Sequence, residues 1–531
     1  MYLLSYDIGT SGVKTCLYSL ENNQLKALGS TLREYELYIF PDGGAEQDPE
    51  QWWQALCDST QALAADFPEE IAAVEGISFC SQMQSVVLVD AEGNALRNSM
   101  SYMDQRAEKQ RDEGISHGLK VAGLNVKKLL ISLKHTGAVA ASVKDPVWKY
   151  HWVRENQPEI FAKTKWWLDV KEYLIGRMTG RFVLSEDSAF ATMLMDIRST
   201  PPKWSKEVCD LLKVNLDHLP PIVPCTDVVG PLREQQAREL GLQPGVKVIA
   251  GGGDASLIPV GAGATEIGQT HIYWGTSGWV GTVTDKQTVD INAMIASVVG
   301  ADLPRYNYFA ELETAGKCFQ WVRDHLALDE IKIYLDREKD ADPEPAYRNL
   351  YAYMSQVIEQ APAGSGGVLF TPWLHGNRWP FEDPHARGMF FNLGIETGKT
   401  ELIRAVIEGV CFHLRWLLET EERKVKTSKS VRFVGGGALA ETTCQILADI
   451  LGRPVETVAD PQNSGSVGAA IVTACGLGAF PGISEAAKLV PATNRYEPRS
   501  EFTSVYERNF KAFKQLYKNN KRTFHLLNGG K

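Results

Sequence analysis

Three glycine-rich segments carry the residue types needed to handle a phosphate-bearing ligand. In Asp7-Ile8-Gly9-Thr10-Ser11-Gly12 an acid stands directly before small residues. Glycines let consecutive amides converge on anionic oxygens. Thr10 and Ser11 add hydroxyl donors, Lys14 adds a positive charge, and Asp7 has the chemistry to hold Mg²⁺ beside phosphates. By itself this segment reads equally as a plain hairpin turn. Gly251-Gly252-Gly253-Asp254 follows an apolar run at 246–250. An acid at that point can take the proton of an attacking hydroxyl, or simply cap the helix that follows. Gly435-Gly436-Gly437 lies between the strand-like Val431-Arg432-Phe433-Val434 and a helical pattern. Nucleotides bind on helix N-terminal amides in that context, and close strand–helix packing is the equal alternative. A dinucleotide fingerprint is excluded, because Ala440 stands where its last glycine is needed. Residues 394–400 imitate a Walker A loop, but three residues rather than four separate the glycines. They read as a loop capping the helix that starts near Glu401.

The elements that must position these segments are visible in the patterning. Residues 1–20 read as strand, tight turn, strand. His271-Ile272-Tyr273-Trp274, then Gly275-Thr276-Ser277-Gly278, then Trp279-Val280-Gly281-Thr282-Val283 repeat the arrangement almost half a chain later. The same Gly-Thr-Ser-Gly turn between strand-like runs predicts two related lobes, each presenting one hairpin. Asp48-Pro49-Glu50 opens a helix with an acidic cap and an early proline. Further helices are expected from Pro146, over 166–183 closed by Gly180, over 401–419, and along the last thirty residues. A lobe boundary fits near Pro244-Gly245, and 431–451 read as strand, glycine turn, helix.

The whole chain narrows the class. It has 531 residues, 44% hydrophobic and 23% charged, enough for two large domains with substantial cores. The net charge of −10 argues against a nucleic-acid or anionic-membrane binder, since both reward excess Lys and Arg. An anionic ligand held locally by amides and one or two cations is compatible with it. The nine cysteines are scattered with no C-x-x-C pair and no zinc spacing, so buried thiols in a reducing cytosol are expected. The N-terminus lacks a basic n-region, and the chain has no apolar stretch long enough to span a bilayer, so a cytoplasmic protein is expected. His375, His385 and His413 read as structural, and most of the thirteen tryptophans as core.

Taken together, the two hairpins, the GGGD segment and the GGG–helix segment resemble the sugar-kinase branch of the actin-like ATPase fold, and more specifically the FGGY carbohydrate kinases. Residues 146–156 (PVWKYHWVREN) match most of that family's first signature. Residues 388–393 (GMFFNL), continuing through 401–408 (ELIRAVIE), follow its second, with Asn392 where the family usually has glycine. Residues 371–378 and 383–388 also read like the family, and the resemblance runs in order from Tyr6 to Gly476.

The resemblance implies an α/β fold with two ribonuclease H-like domains and a catalytic cleft between them. Residues 1–247 would form the N-terminal domain with the sugar site and first phosphate hairpin, and 248–531 the C-terminal domain with the catalytic acid and the ATP site. It implies Asp254 as general base and Asp7, with Asp254, beside Mg²⁺. Gly9, Thr10, Ser11, Lys14, Gly275, Thr276, Gly436 and Gly437 would surround ATP. Gln82, Met83, Gln84, Asp104 and Asp254 would meet the sugar. The implied partners are ATP and a small sugar, most like xylulose; a homodimer is compatible with the family, and the sequence marks no interface for one. Three departures bear on the sugar. Members acting on xylulose usually carry Met-His-Gly after the Gln, where this chain has Gln82-Met83-Gln84-Ser85. They carry Asp-Asn at Asp254-Ala255, and Trp-Asn-Asp at Tyr102-Met103-Asp104. Ribulose, erythritol, gluconate and glycerol are the other substrates such a chain suggests. A nucleotide-driven conformational switch is the non-kinase alternative, and an oxidoreductase would need the fingerprint already excluded.

Overall fold

In a computed structural model, residues 1–121, 123–290, 293, 295–326, 355 and 357–529 are described. They build two sheets of the same design. The first runs, edge to edge, Val228–Pro231, Lys247–Ile249, Val74–Ser81, Tyr2–Ile8, Gly12–Glu21 and Gln24–Glu34. The second ends with Asn494–Tyr496, Val455–Thr457, Val431–Val434, Thr270–Trp274, Gly278–Thr284 and Tyr306–Leu312, and continues through Ile295–Val299 to Val289–Asp290. Read in those orders, successive pairings in both are antiparallel, parallel, parallel, antiparallel, antiparallel. The repeat expected from the twin Gly-Thr-Ser-Gly turns is therefore a repeat of whole sheets, with each turn joining the central hairpin.

The central strands are buried on both faces, as strands with parallel neighbours must be when helices cover both sides. Leu4, Tyr6 and Ile8 share a core with Trp52 and Leu56 of the helix Pro49–Asp66. That helix starts where the sequence indicates: Asp48 accepts from the Glu50 amide, and Pro49 fills the first turn, where no donor is needed. Leu3, Cys16 and Tyr18 face the other way, onto Ala470 and Ala474 of the helix Ser464–Gly476. A helix from the far end of the chain thus closes the first sheet. All nine cysteines are unpaired thiols.

Most expected elements form where the patterning places them: Pro146–Asn156, Lys399–Glu421, Val431–Val434 with Glu441–Leu451, and Thr503–Asn528. The span 166–183 differs. Trp166–Leu168 is a strand paired with Val87–Val89, and the helix is only Val170–Thr179, closed by Gly180 in the left-handed conformation. Two tryptophans and a leucine satisfy strand and helix periodicities alike over so short a run. Lys247–Ile249 and Gly252–Gly253 pair within the first sheet, and the second sheet begins at Thr270. Among the described residues no helix is long and apolar enough to cross a membrane.

Two helices join the sheets by crossing at backbone contact. A Cβ built on Gly261 would fall inside the carbonyl of Ser464, and one on Gly468 inside that of Leu257. Space, not backbone angle, requires glycine at both, since each sits in a regular helix. Gly261→Val or Gly468→Val is expected to destabilise the protein by about 1–3 kcal/mol or more through overpacking. The measurement is the thermal midpoint, which should fall by several degrees; an unchanged midpoint would show that the helices can part freely.

Candidate active site

The first hairpin is held from behind so that its turn faces the cleft. The Gly9 amide donates to Gly12 O at 2.9 Å, and the buried Tyr35 hydroxyl donates to the Gly9 and Gly12 carbonyls. Gln47 Nε2 donates to Thr10 O at 2.6 Å, and Thr10 Oγ1 lies 3.2 Å from the Tyr102 hydroxyl. Gly9 and Ser11 are exposed, Thr10 half-buried. Asp7 is the penultimate residue of the first strand and register partner to Lys14 across the hairpin. Lys14 Nζ reaches the other half of the chain, donating to Gln462 O at 3.2 Å and Asn463 Oδ1 at 3.0 Å, at the N-terminus of the crossing helix Ser464–Gly476. The Asp7 carboxylate lies against that helix too: a Cβ on Gly465 would come within 2.6 Å of Asp7 Oδ2. Burial raises the Asp7 pKa, and the Lys14 charge partly offsets this.

Asp254 starts the other crossing helix, Asp254–Gly261, after three glycines that have no room for side chains. Gly251 takes φ +66° and lies against the Phe79 backbone, while Gly253 lies against the Met83 thioether. The resemblance-derived sugar residue Met83 thus touches the glycine preceding the acid. The Asp254 carboxylate accepts from the Ala255 amide at 2.7 Å, so its cap-like hydrogen bond is local and leaves the group half-buried at the cleft. Burial pushes its pKa up to about 7, with the Ala255 amide opposing and the charges of Asp7, Glu311 and Asp187 adding to the rise.

One group that sequence reasoning missed fixes this segment. Asp187 is fully buried and accepts from the Gly253 amide at 2.6 Å and the Ser188 amide at 2.9 Å. Its other partners are the Ser185 hydroxyl and the Cys225 thiol. The buried Lys171 pairs with Glu172 and donates to the Ser185 and Ser188 hydroxyls, at 2.7 Å and 2.6 Å. Lys171 therefore supplies the balancing charge one shell behind the Asp254 loop. Nothing in the spacing of 171–188 marks this, because the network forms only when helix, strand and loop meet.

The second hairpin presents Gly275, packed on the Tyr273 hydroxyl, and an exposed Thr276. The Gly316 and Lys317 amides donate to the Gly275 and Thr276 carbonyls at 3.0 Å and 3.2 Å. Tyr273 stacks on Trp279 with centroids 4.1 Å apart, and burial raises its pKa with the charges of Asp7 and Asp254 adding, so the base of this hairpin lies near both acids. In the third glycine segment, Gly435 takes φ +93° against the Trp274 carbonyl, and Gly437 lies over the Trp274 ring. Gly436 is exposed with open space above it.

The remaining sugar-side positions divide. Gln82 is buried, donating Nε2 to Gln47 Oε1 at 2.9 Å, while its own Oε1 has no donor among the described residues. Gln84 takes φ +64° and is held by its backbone: its amide donates to Asp169 at 2.8 Å and its carbonyl accepts from the buried Lys149 at 2.6 Å. Asp104 is not open to the cleft. It is fully buried, and its oxygens accept from Arg106 and the Ala45 amide within an Arg97–Glu46–Arg106–Asp104 cluster. Tyr102, two residues before it, is half-buried beside Thr10; burial raises its pKa, with the charges of Glu311 and Asp254 adding. His413 is structural as expected, accepting from Trp373 Nε1 and donating Nε2–H to Trp379 O.

Two ribonuclease H-like sheets, each offering a glycine hairpin to one cleft with an acid on the joining helix, define the actin-like class. The chain belongs to the FGGY family of carbohydrate kinases: the family's N-terminal domain matches residues 2–261 and its C-terminal domain residues 271–477. Xylulose kinase of Bacillus subtilis (strain 168) is 28% identical, over 98% of this chain and 97% of its own length. Gluconokinase of the same strain is also 28% identical, over 95% and 93%. The ligand-bound xylulose kinase structure from Lactobacillus acidophilus superposes with a TM-score of 0.82 at 26% identity, covering 99% of each chain. The protein is a sugar kinase by family, and the two relatives differ in substrate.

Asp187→Ala would leave the buried Gly253 amide without its acceptor, while Lys171 keeps Glu172. The expected cost is about 1–3 kcal/mol of stability for the orphaned donor, with a fall in kcat as the Asp254 loop loosens. Thermal melts and steady-state kinetics check both; a stable, fully active variant would show that the glycines hold the loop alone.

Proposed function

We propose that this protein transfers the γ-phosphoryl group of ATP to a hydroxyl of a ketopentose, with xylulose the first candidate. The observation that carries the reading is Asp254: a half-buried carboxyl at a helix start, near Asp7 of the first hairpin, with its pKa pushed to about 7. A base poised near neutrality is suited to taking a sugar hydroxyl proton as the hydroxyl attacks phosphorus. Gly9, Thr10, Ser11 and Lys14 from one side, and Gly275 and Thr276 from the other, are assigned to the phosphates. Gly436, with open space above it, and Gly437, backed by Trp274, are assigned to the nucleotide. Sugar contacts are assigned to Gln82, Met83 and Gln84, with Asp104 acting through the wall it braces.

The residues fit a divalent cation that arrives with the nucleotide. Asp7 and Asp254 raise local negative charge that the protein leaves only partly neutralised by Lys14. Among the described residues no cluster of three or more His, Cys, Asp or Glu could hold a metal. Mg²⁺ commonly binds through one or two carboxylates plus phosphates and water, so Asp7, with Asp254 beside it, is a suitable set. Such an ion supplies charge neutralisation at the phosphates. Residues of both lobes orient the reactants, and lobe closure excludes water.

ADP release with MgATP across xylulose, ribulose, gluconate, erythritol, glycerol and no sugar tests the reading. The expected outcome is a strong response to one ketopentose and none without sugar; sugar-independent turnover would favour a conformational switch. Asp254→Asn is expected to lower kcat by about 10²–10⁴-fold with little change in ATP affinity. In the wild type, kcat/KM for the sugar should rise with pH through an inflection near 7, as Asp254 loses its proton. The same shift has a stability consequence. Because its folded pKa is raised, Asp254 costs stability as pH climbs from the ordinary carboxylate range to about 7. Asp254→Asn should therefore melt higher than wild type at pH 8 while being inactive; wild-type-like turnover would sink the mechanism.

A further inference from the structure

Glu311 is a half-buried carboxylate that makes no hydrogen bond or ion pair among the described residues. It lies in the strand Tyr306–Leu312, register partner to Trp279. Alternation turns Tyr308, Ala310 and Leu312 into the second-lobe core, and Asn307, Phe309 and Glu311 to the opposite face. On that face Asn307 Nδ2 donates to Ala255 O at 3.0 Å, and the Phe309 ring lies 5.5 Å from that of Trp279, which stacks on Tyr273. The face therefore abuts the start of the Asp254 helix. Glu311 is half-buried, and among the described residues its carboxylate has no hydrogen bond or ion pair. Burial raises its pKa, and its charged neighbours are Arg378, Glu313, Lys144 and Lys317. Two of those cations have other engagements: Lys144 lies 3.9 Å from Glu313, and the Arg378 guanidinium sits 4.3 Å over the Trp379 ring. Glu311 in turn acts on Asp254 and Tyr102.

We infer that Glu311 is a specificity-determining residue that accepts hydroxyls of a neutral sugar and rejects a sugar acid. The inference rests on the kinase reading above and narrows its substrate class. An ionised carboxylate is acceptor-only and, removed from water, needs donors. The hydroxyls of a polyol supply them. A substrate carboxylate supplies none and would add a third negative charge beside Glu311 and Asp254, an arrangement that discriminates by repulsion.

The test is steady-state kinetics of wild type, Glu311→Gln and Asp254→Asn with xylulose, ribulose, erythritol and gluconate. Wild type is expected to turn over a neutral member and to disfavour gluconate. Glu311→Gln keeps the shape and removes the charge. It should lower kcat/KM for the neutral sugar about tenfold to a hundredfold, chiefly through KM, narrow the preference over gluconate at least about tenfold, and leave KM for ATP unchanged. The unchanged ATP constant certifies folding. A wild type that prefers gluconate or turns over no neutral member overturns the inference, as does a Glu311→Gln variant with unaltered sugar selectivity. Should Asp254→Asn be inactive while Glu311→Gln behaves as wild type, only this inference fails; an active Asp254→Asn removes the kinase mechanism beneath it.

Discussion

Everything in the cleft depends on two helices crossing at backbone distance. Asp254–Gly261 leaves the first sheet and Ser464–Gly476 returns to it, and Gly261 and Gly468 let them touch through their main chains. Their starts carry the chemistry. Asp254 opens one; Gln462 and Asn463, which receive Lys14, precede the other, and Gly465 in its first turn packs on Asp7. A side chain at either crossing point would move Asp254 relative to the first glycine hairpin. Catalytic geometry tolerates displacements far smaller than a methyl group's width. The glycines are thus positioning elements as much as packing ones.

The fold was largely legible because its signals are local and repeated. A strand, a Gly-Thr-Ser-Gly turn and a second strand occur twice, and each copy became the middle of an equivalent sheet. The Asp48-Pro49 start and the Gly180 stop are written in single residues whose backbone preferences force the outcome. Residues 166–168 failed because three large apolar side chains in a row carry no period. At the cleft, the glycine segments and Asp254 were found through motif and resemblance, since close backbone approach leaves its mark in residue type. What could not be read was the second layer: Asp187 beneath Gly253 and Lys149 beneath Gln84. These partners lie 66 and 65 residues apart in sequence, and a buried Asp or Lys looks like any other until its partners are known.

That second layer explains how a carboxyl pKa can be held near neutrality without the loop coming apart. Asp254 is raised by burial and by three other carboxylates. Left alone, so much negative charge in a partly closed site would favour opening. The protein separates the two demands. Asp187 is satisfied from behind, by the Gly253 and Ser188 amides, a serine hydroxyl and, through the serines, the buried Lys171. Its charge therefore braces the backbone and still reaches Asp254 through space. Burial raises both Glu311 and Asp7, with nearby cations, and for Asp7 the Cys80 thiol, only partly opposing the rise. The resting site is thus under-neutralised on the ligand side and fully bonded on the protein side. On the kinase reading proposed above, cations and hydroxyl donors would relieve the first condition without disturbing the second, leaving the free energy of ligand binding to close the lobes around the reactants.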